Sequence, residues 1–154
     1  SQMSCVLTAA LINLETGQMD VCHIGDTRLY VLKNGIFTKV TSDHSLVGPL
    51  EESGELTELQ ATKHPQRNII TRSVGKDILQ WGTKYIQTHT IILKPETTIL
   101  LCSDGLYDMI PSSRTIEIIS ESTSVDKRVD KLIDTTLEAG GKDNVTVIVV
   151  DLKE

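Results

Sequence analysis

The chain has 154 residues and a formal net charge of −6 at pH 7, with 39% hydrophobic and 23% charged residues. This length fits one globular domain that buries its own core. The acidic balance and the lack of a Lys/Arg cluster argue against nucleic acid or an anionic membrane as a partner. No segment has the length of a membrane span or the pattern of a signal peptide. Three widely spaced cysteines form neither a disulfide framework nor a zinc motif, which favours a cytoplasmic setting.

The first 40 residues have the pattern of an antiparallel meander. Apolar residues on both alternating faces predict that the first strand is buried on two sides. Gly25, Asp26 and Thr27 interrupt the pattern, and Asn34-Gly35 is typical of a hairpin turn. The strands predicted here are 5–14, 19–24, 29–32 and 36–40.

Residues 41 to about 75 break the strand pattern. Pro49, Gly54 and Pro65 separate short helical or irregular pieces, which predicts an excursion from the sheet. Strand character returns weakly at 69–74 and strongly at 85–93 and 98–102. The last two strands are expected to pair with each other.

The final third of the chain contains two predicted helices. One begins near Ser112 or Ser113, and the second is capped by Ser124 and ends before Gly140-Gly141. The apolar face of the second helix is predicted to contain Val125, Val129, Leu132, Ile133, Thr136 and Leu137. A last strand covers 145–150. Because the strands come first and the helices late, the pattern indicates an α+β fold with antiparallel sheets.

Four aspartates occupy turns beside predicted strands. Asp104 and Asp108 follow an apolar strand, and Asp26 and Asp143 stand in similar positions elsewhere. Taken singly, each also fits an ordinary turn, cap or solvated position. Together they predict a cation site, because a divalent ion relieves the repulsion between close carboxylates and prefers hard oxygen ligands.

Five segments also follow a family pattern in the same order. They are GDTR (25–28), TSDHS (41–45), HPQRNIITR (64–72), SDGLYD (103–108) and GKDNVT (141–146). In these segments the chain resembles the metal-dependent protein Ser/Thr phosphatases of the 2C type, and the match is to the C-terminal portion of their catalytic domain.

The resemblance implies a layered α-β-β-α sandwich of antiparallel sheets with flanking helices, incomplete at its N-terminal side. Residues 1–154 would be part of that domain, with a flap-like excursion at about 43–74. Two core Mg²⁺ or Mn²⁺ ions are implied, with Asp104 and Asp143 on the second, and a weaker third ion beside Asp26, Asp104 and Asp108. The implied reaction is hydrolysis of phosphoserine or phosphothreonine in a phosphoprotein substrate by a metal-activated water.

The chain also departs from the family pattern. No DGxGGH segment occurs in it, so the aspartate that bridges the two core metals and the proton-donating histidine are missing. The fragment therefore holds no catalytic residue and is expected to be inactive alone. Its expected partner is a missing upstream segment of the same domain, or a second copy by self-association. The alternative function is a pseudophosphatase or regulatory interaction module.

Other candidate residues are interpreted as structural. Cys102 is a poor candidate nucleophile, because Asp108 stands where a cysteine-dependent tyrosine phosphatase needs arginine, and it is expected in the core. Arg67 and Arg72 suit phosphate, although salt bridges that hold the flap are the preferred interpretation. The remaining residues assigned to packing, to the surface or to the flap borders are His23, His44, His64, His89 and Arg28.

Overall fold

The computed structural model describes residues 3–75 and 82–153. These residues divide into two compact units, each built around its own antiparallel sheet. The first unit extends to Thr27 and includes Thr41–Leu93, and the second comprises Arg28–Val40 and the chain from Lys94 onward.

The first unit contains a three-stranded sheet in the order β1-β2-β5. Its strands are β1 (Leu7–Ile12), β2 (Gln18–Ile24) and β5 (Gln87–Ile92). Before β5, the described residues of this unit form two short helices and a 3₁₀ turn, namely α1 (Gly48–Glu52), α2 (Glu58–Thr62) and Gly82–Tyr85. α2 begins with a capping box, in which the side chains of Thr57 and Gln60 each accept a hydrogen bond from the backbone N–H of the other residue.

Two expectations for the first unit are wrong. β1 forms, but it pairs only with β2 among the described strands, and the side chains of Leu7 and Leu11 are 51% and 74% exposed. Apolar residues on both faces make a strand suitable for burial on two sides. Burial also requires other parts of the protein to cover both faces, and the strand's own sequence does not show whether they do. The weak strand at 69–74 is reduced to isolated bridges at Ile70 and Val74.

The second unit contains a four-stranded sheet in the order β4-β3-β6-β7. Its strands are β3 (Arg28–Lys33), β4 (Ile36–Lys39), β6 (Thr97–Cys102) and β7 (Val147–Leu152). The predicted hairpin at Asn34-Gly35 is confirmed, with φ of 50° and 75° as a tight turn of this kind requires.

The predicted pairing of the strands at 85–93 and 98–102 is wrong. β5 pairs with β2, and β6 pairs with β3 and β7, so the two strands belong to different sheets. The meander is also interrupted, because the chain leaves one sheet after Ile24 and enters the other at Arg28. Gly25 makes this change with φ of +113°, a conformation that few residues with a Cβ adopt.

Three helices follow β6 in the chain, and they confirm the α+β class. They are α3 (Asp104–Tyr107), α4 (Ser112–Ile119) and α5 (Val125–Glu138). The start at Ser112 is confirmed, and so is the Ser124 cap, whose hydroxyl accepts a bond from the backbone N–H of Lys127. Among the described residues, no helix has both the length and the apolar character that a membrane span needs.

The buried face of α5 differs from the predicted apolar face. Arg128, Leu132 and Thr136 are its buried residues, whereas Leu137 is 55% exposed. The Arg128 guanidinium donates to the carbonyl of Ile119 at 2.8 Å and forms an ion pair with Asp151. These partners compensate the charge, so the helix turns its arginine inward.

Candidate metal centre

Neighbouring antiparallel strands bring Asp104 and Asp143 to one end of the second sheet. Cys102 of β6 pairs with Val147 of β7 at the end of the ladder. Asp104 begins α3 two residues after Cys102, and Asp143 lies in the segment that leads into β7. The two carboxylates therefore emerge from adjacent chain segments.

Backbone and hydroxyl bonds hold these two segments together. The N–H of Ser103 donates to the carbonyl of Thr146 at 3.1 Å, and the N–H of Thr146 donates to the Ser103 hydroxyl at 3.0 Å. That hydroxyl also donates to the carbonyl of Asn144 at 3.3 Å. Ser103 is thus a positioning residue that the sequence reasoning did not single out, although it stands inside the SDGLYD segment.

Gly105 lets the start of α3 lie close to the segment that contains Asn144 and Val145. A Cβ at this position would lie 2.2 Å from the carbonyl oxygen of Asn144 and 3.2 Å from the Cα of Val145. Both neighbours are backbone atoms, which cannot rotate away as a side chain does. The absence of a side chain at Gly105 is therefore a condition for the present distance between the two segments.

Burial and neighbouring carboxylates disfavour the ionised form of Asp104. The pKa of its half-buried carboxyl is raised, first by burial and then by the charges of Asp108 and Asp143. The backbone N–H of Gly105 donates to Asp104 Oδ1 at 2.9 Å and partly opposes this rise. Asp143 is exposed, and its Oδ1 accepts the N–H of Asn144 at 2.7 Å. A cation near Asp104 would offset the repulsion from these two carboxylates, which adds to the effect of burial on the pKa.

The donor type fits Mg²⁺ or Mn²⁺, but the number of donors falls short of a closed site. Carboxylate oxygens are the ligands that such hard ions prefer. Over residues 3–75 and 82–153, no three His, Cys, Asp or Glu side chains converge closely enough to hold a metal ion. The structure thus places Asp108 and Asp143 within electrostatic range of Asp104. Their role as metal ligands stays a prediction.

Asp26 lies in the first unit, half-buried in the turn after β2. Its role as a ligand of a third ion stays a prediction.

Comparison with known proteins identifies the family. No protein-family model matches the chain. The serine/threonine phosphatase Stp of Listeria innocua serovar 6a is 34% identical over 149 residues, which are 97% of this chain and 57% of that relative. This chain belongs to the metal-dependent Ser/Thr protein phosphatases of the 2C type.

Solved structures of this phosphatase family have the same fold. The phosphatase PstP/Ppp of Mycobacterium tuberculosis is 33% identical with a TM-score of 0.83, over 97% of this chain and 60% of that one. A catalytic domain of PstP in complex with two manganese ions is 30% identical with a TM-score of 0.83, over 99% of this chain and 60% of that one. The chain thus spans less than two thirds of the phosphatases that it matches.

Two residues that the sequence analysis interpreted as structural, Cys102 and Arg28, are buried. Cys102 is 4% exposed within the core of the second unit. Arg28 is equally buried, with its guanidinium carbon 3.7 Å from the centre of the Tyr107 ring and its Nη1 donating to Tyr30 Oη at 3.2 Å. Arg28 therefore packs the start of β3 against α3, which confirms its structural assignment.

Two histidines of the first unit lie buried in ring contact. His23 and His44 are 1% and 8% exposed, and their ring centroids are 4.9 Å apart. Burial lowers the pKa of His44 to about 4, helped by the neighbouring His23 and Arg72 and opposed by Asp43. His44 is therefore neutral at neutral pH.

This lowered pKa makes a prediction about stability. An unfolded histidine binds its proton near pH 6.5 and the folded His44 near pH 4, so stability is complete above about pH 6.5 and falls toward pH 4. We expect the wild-type chain to lose roughly 2 kcal/mol more than His44→Asn over this interval, after a discount for solvent screening. Urea unfolding at pH 7.5 and pH 4.5 measures the difference, and parallel losses in the two proteins would contradict it.

Proposed function

We propose that this chain is part of a Mg²⁺- or Mn²⁺-dependent protein phosphatase that hydrolyses phosphoserine and phosphothreonine in phosphoprotein substrates. One observation carries the proposal: hydrogen bonds from Ser103 to Asn144 and Thr146 hold the segments of Asp104 and Asp143 together, and the N–H of Asp108 donates to the Asp104 carbonyl at 2.9 Å. Family membership supports it, as does the manganese complex of PstP. A purely structural arrangement would gain nothing from holding these carboxylates together.

In this proposal Asp104 and Asp143 hold a cation of the core pair. Ser103 and Gly105 keep the two ligand segments at the required separation through the bonds to Asn144 and Thr146. Bound divalent cations would supply an activated water and a positive clamp on the phosphoryl oxygens. We also propose that residues 43–74 correspond to the family's flap and that this flap contributes to substrate choice.

We propose further that the ligand set is completed by a segment of the same domain outside these 154 residues. The chain covers 57% of the Listeria relative, and its described residues contain no complete metal cluster. The missing segment would also cover the exposed leucines of β1. Without it, we expect no catalysis and a tendency of the chain to self-associate through its open edge.

The test compares the full-length protein with the 154-residue chain. We expect Mn²⁺-dependent hydrolysis of a phosphothreonine peptide by the full-length protein, loss of turnover on chelation, and no turnover by the chain alone. Light scattering over a concentration series reports self-association of the chain. Turnover that is independent of metal in the full-length protein would overturn the proposal.

Asp108→Ala should have a smaller effect than substitution of the other two carboxylates. Asp108 lies at the C-terminal end of α3 and is assigned only to the weaker third ion, so the pair Asp104 and Asp143 stays intact. We expect a loss of phosphatase activity of about 10-fold or less in the full-length protein at saturating Mn²⁺. A loss as large as that of Asp104→Asn would show that Asp108 holds a core cation instead.

A second candidate function is a pseudophosphatase or regulatory interaction module. The shortage of converging ligands among the described residues favours it. A full-length protein that binds a phosphopeptide but never hydrolyses it, with any divalent metal, would establish this function. For either function we propose a cytoplasmic location, because Cys5 and Cys22 are exposed free thiols.

A further inference from the structure

The turn that presents Asp26 is fixed on both sides. Before it, the backbone of Gly25 forms two bonds with His44: its N–H donates to Nδ1 at 3.1 Å, and its carbonyl accepts the N–H of His44 at 2.7 Å. After it, the hydroxyl of Thr27 lies 2.6 Å from the hydroxyl of Thr8 on β1. The backbone around Asp26 thus has one attachment to the segment after β4 and another to the edge strand.

A hydrogen bond to a backbone carbonyl fixes the proton on one nitrogen of the His23 ring. Nε2 of His23 lies 3.0 Å from the carbonyl of Ser42, which can only accept, so Nε2 carries a proton. Nδ1 lies 2.8 Å from the Thr8 hydroxyl and, in the neutral ring, accepts from it. The Thr8 hydroxyl also lies 2.6 Å from the Thr27 hydroxyl and 3.3 Å from the Thr27 carbonyl. The result is one connected set of bonds from Thr27 through Thr8 and His23 to Ser42.

The second histidine is fixed in the same way. Nδ1 of His44 accepts a bond from the Gly25 N–H and must therefore carry a lone pair. His44 is neutral for this geometric reason, and its ring lies against that of His23. The two buried rings lie in contact and are hydrogen-bonded to Thr8, Ser42 and Gly25, so together they support this turn.

We propose that His44 and the pair Thr8–His23 are positioning residues that hold the Asp26 carboxylate ready for a divalent cation. This inference rests on the proposed function, because it takes Asp26 as a metal ligand. Partners that orient a ligand without touching the metal affect binding strongly, so loss of one bond in this network should weaken binding by about 10-fold. The TSDHS and GDTR segments would then position the Asp26 carboxylate together.

The experiment measures Mn²⁺ binding to the full-length protein by calorimetry, without any activity readout. Thr8→Val removes the hydroxyl and keeps the shape, whereas Thr8→Ser keeps the hydroxyl. His44→Leu removes the acceptor, and His44→Asn replaces it. We expect Thr8→Val and His44→Leu to weaken the Asp26-dependent binding step about 10-fold and the two conservative variants to restore it.

A double-mutant cycle separates positioning from a general loss of structure. In the Asp26→Asn background, Thr8→Val should cause no further loss of Mn²⁺ affinity, because the carboxylate that it positions is gone. Thr90→Val is the matched control: it removes an exposed threonine bond to Asp20 in the same sheet, 2.6 Å long, and should leave Mn²⁺ binding unchanged.

The contrary results are distinguishable. If Asp26→Asn weakens Mn²⁺ binding and both Thr8→Val and His44→Leu bind as the wild type does, the positioning role is refuted while the proposed function stands. If Asp26→Asn has no effect but Asp104→Asn does, Asp26 is no ligand and the inference fails with it. If the wild-type protein binds no Mn²⁺, the proposed function itself fails.

Discussion

Asp104→Asn or Asp143→Asn in the full-length protein should lower Mn²⁺-supported hydrolysis of a phosphopeptide by roughly 1,000-fold, which is about 4 kcal/mol of transition-state stabilisation. Each change keeps the shape of the side chain but replaces an anionic oxygen by a neutral one. The loss should occur without unfolding. Burial and neighbouring carboxylates raise the pKa of Asp104, so the native structure disfavours its ionised form, and an asparagine there removes that penalty.

Two measurements made together test this expectation. Steady-state rates at saturating Mn²⁺ report the activity, and thermal unfolding without metal reports the stability, which should be unchanged or higher for Asp104→Asn. Asp134→Asn is the control, since it makes the same change at an exposed position of α5. Turnover near that of the wild type in both Asp104→Asn and Asp143→Asn would remove these residues from the metal centre.

Gly105→Ala should be the most damaging small substitution in the second unit. The added Cβ would lie 2.2 Å from the Asn144 carbonyl oxygen, so α3 and the Asp143 segment must separate. We expect the free energy of unfolding to fall by roughly 3 kcal/mol, the upper range for overpacked sites. Mn²⁺ affinity should fall as well, because the separation moves Asp104 away from Asp143.

Gly35→Ala provides the comparison for Gly105→Ala. Gly35 has φ of +75° in the β3–β4 hairpin, and no atom lies within 4 Å of an added Cβ. This variant isolates the backbone strain of an alanine at positive φ and should lose only about 1 kcal/mol, with normal Mn²⁺ affinity. Equal losses of stability in the two variants, with unchanged metal affinity in both, would show that the contact with Asn144 does not set the ligand geometry.

The features that sequence predicted correctly are local. The Asn34-Gly35 hairpin and the Ser124 cap each depend on a few consecutive residues, and the structure confirms both. Asp26, Asp108 and Asp143 lie in turns or bends for the same reason, whereas Asp104 begins α3. Such patterns need no knowledge of what the rest of the chain does.

The features that sequence missed depend on distant partners. β5 joins β2 although β6 is its neighbour in the chain, because strand pairing is settled by the whole sheet. Arg128 is buried because Asp151, 23 residues away, accepts its charge. An amphipathic pattern assigns arginine to the surface by default and contains no information about that partner.

The same limit applies to the residues around the candidate site. Ser103 and Gly105 stand inside a segment that sequence singled out, so a closer look at SDGLYD could have suggested them. Thr8 could not be found in this way, because it belongs to no motif and meets Thr27 and His23 only after β1 and β2 pair. His44 lies inside TSDHS, but its bond to Gly25 depends on the folded chain.

The ion pair between Arg128 and Asp151 has a practical consequence for expression clones of this domain. Asp151 lies in β7, and it also accepts a 2.8 Å bond from the Thr98 hydroxyl of the adjacent β6. A clone that stopped at Val150 would leave the guanidinium of Arg128, a residue that is 4% exposed, without its counter-ion. The free energy of unfolding should then fall by about 3–5 kcal/mol. The C-terminal cloning boundary must therefore lie beyond Asp151, even though the aspartates assigned to metal all precede β7.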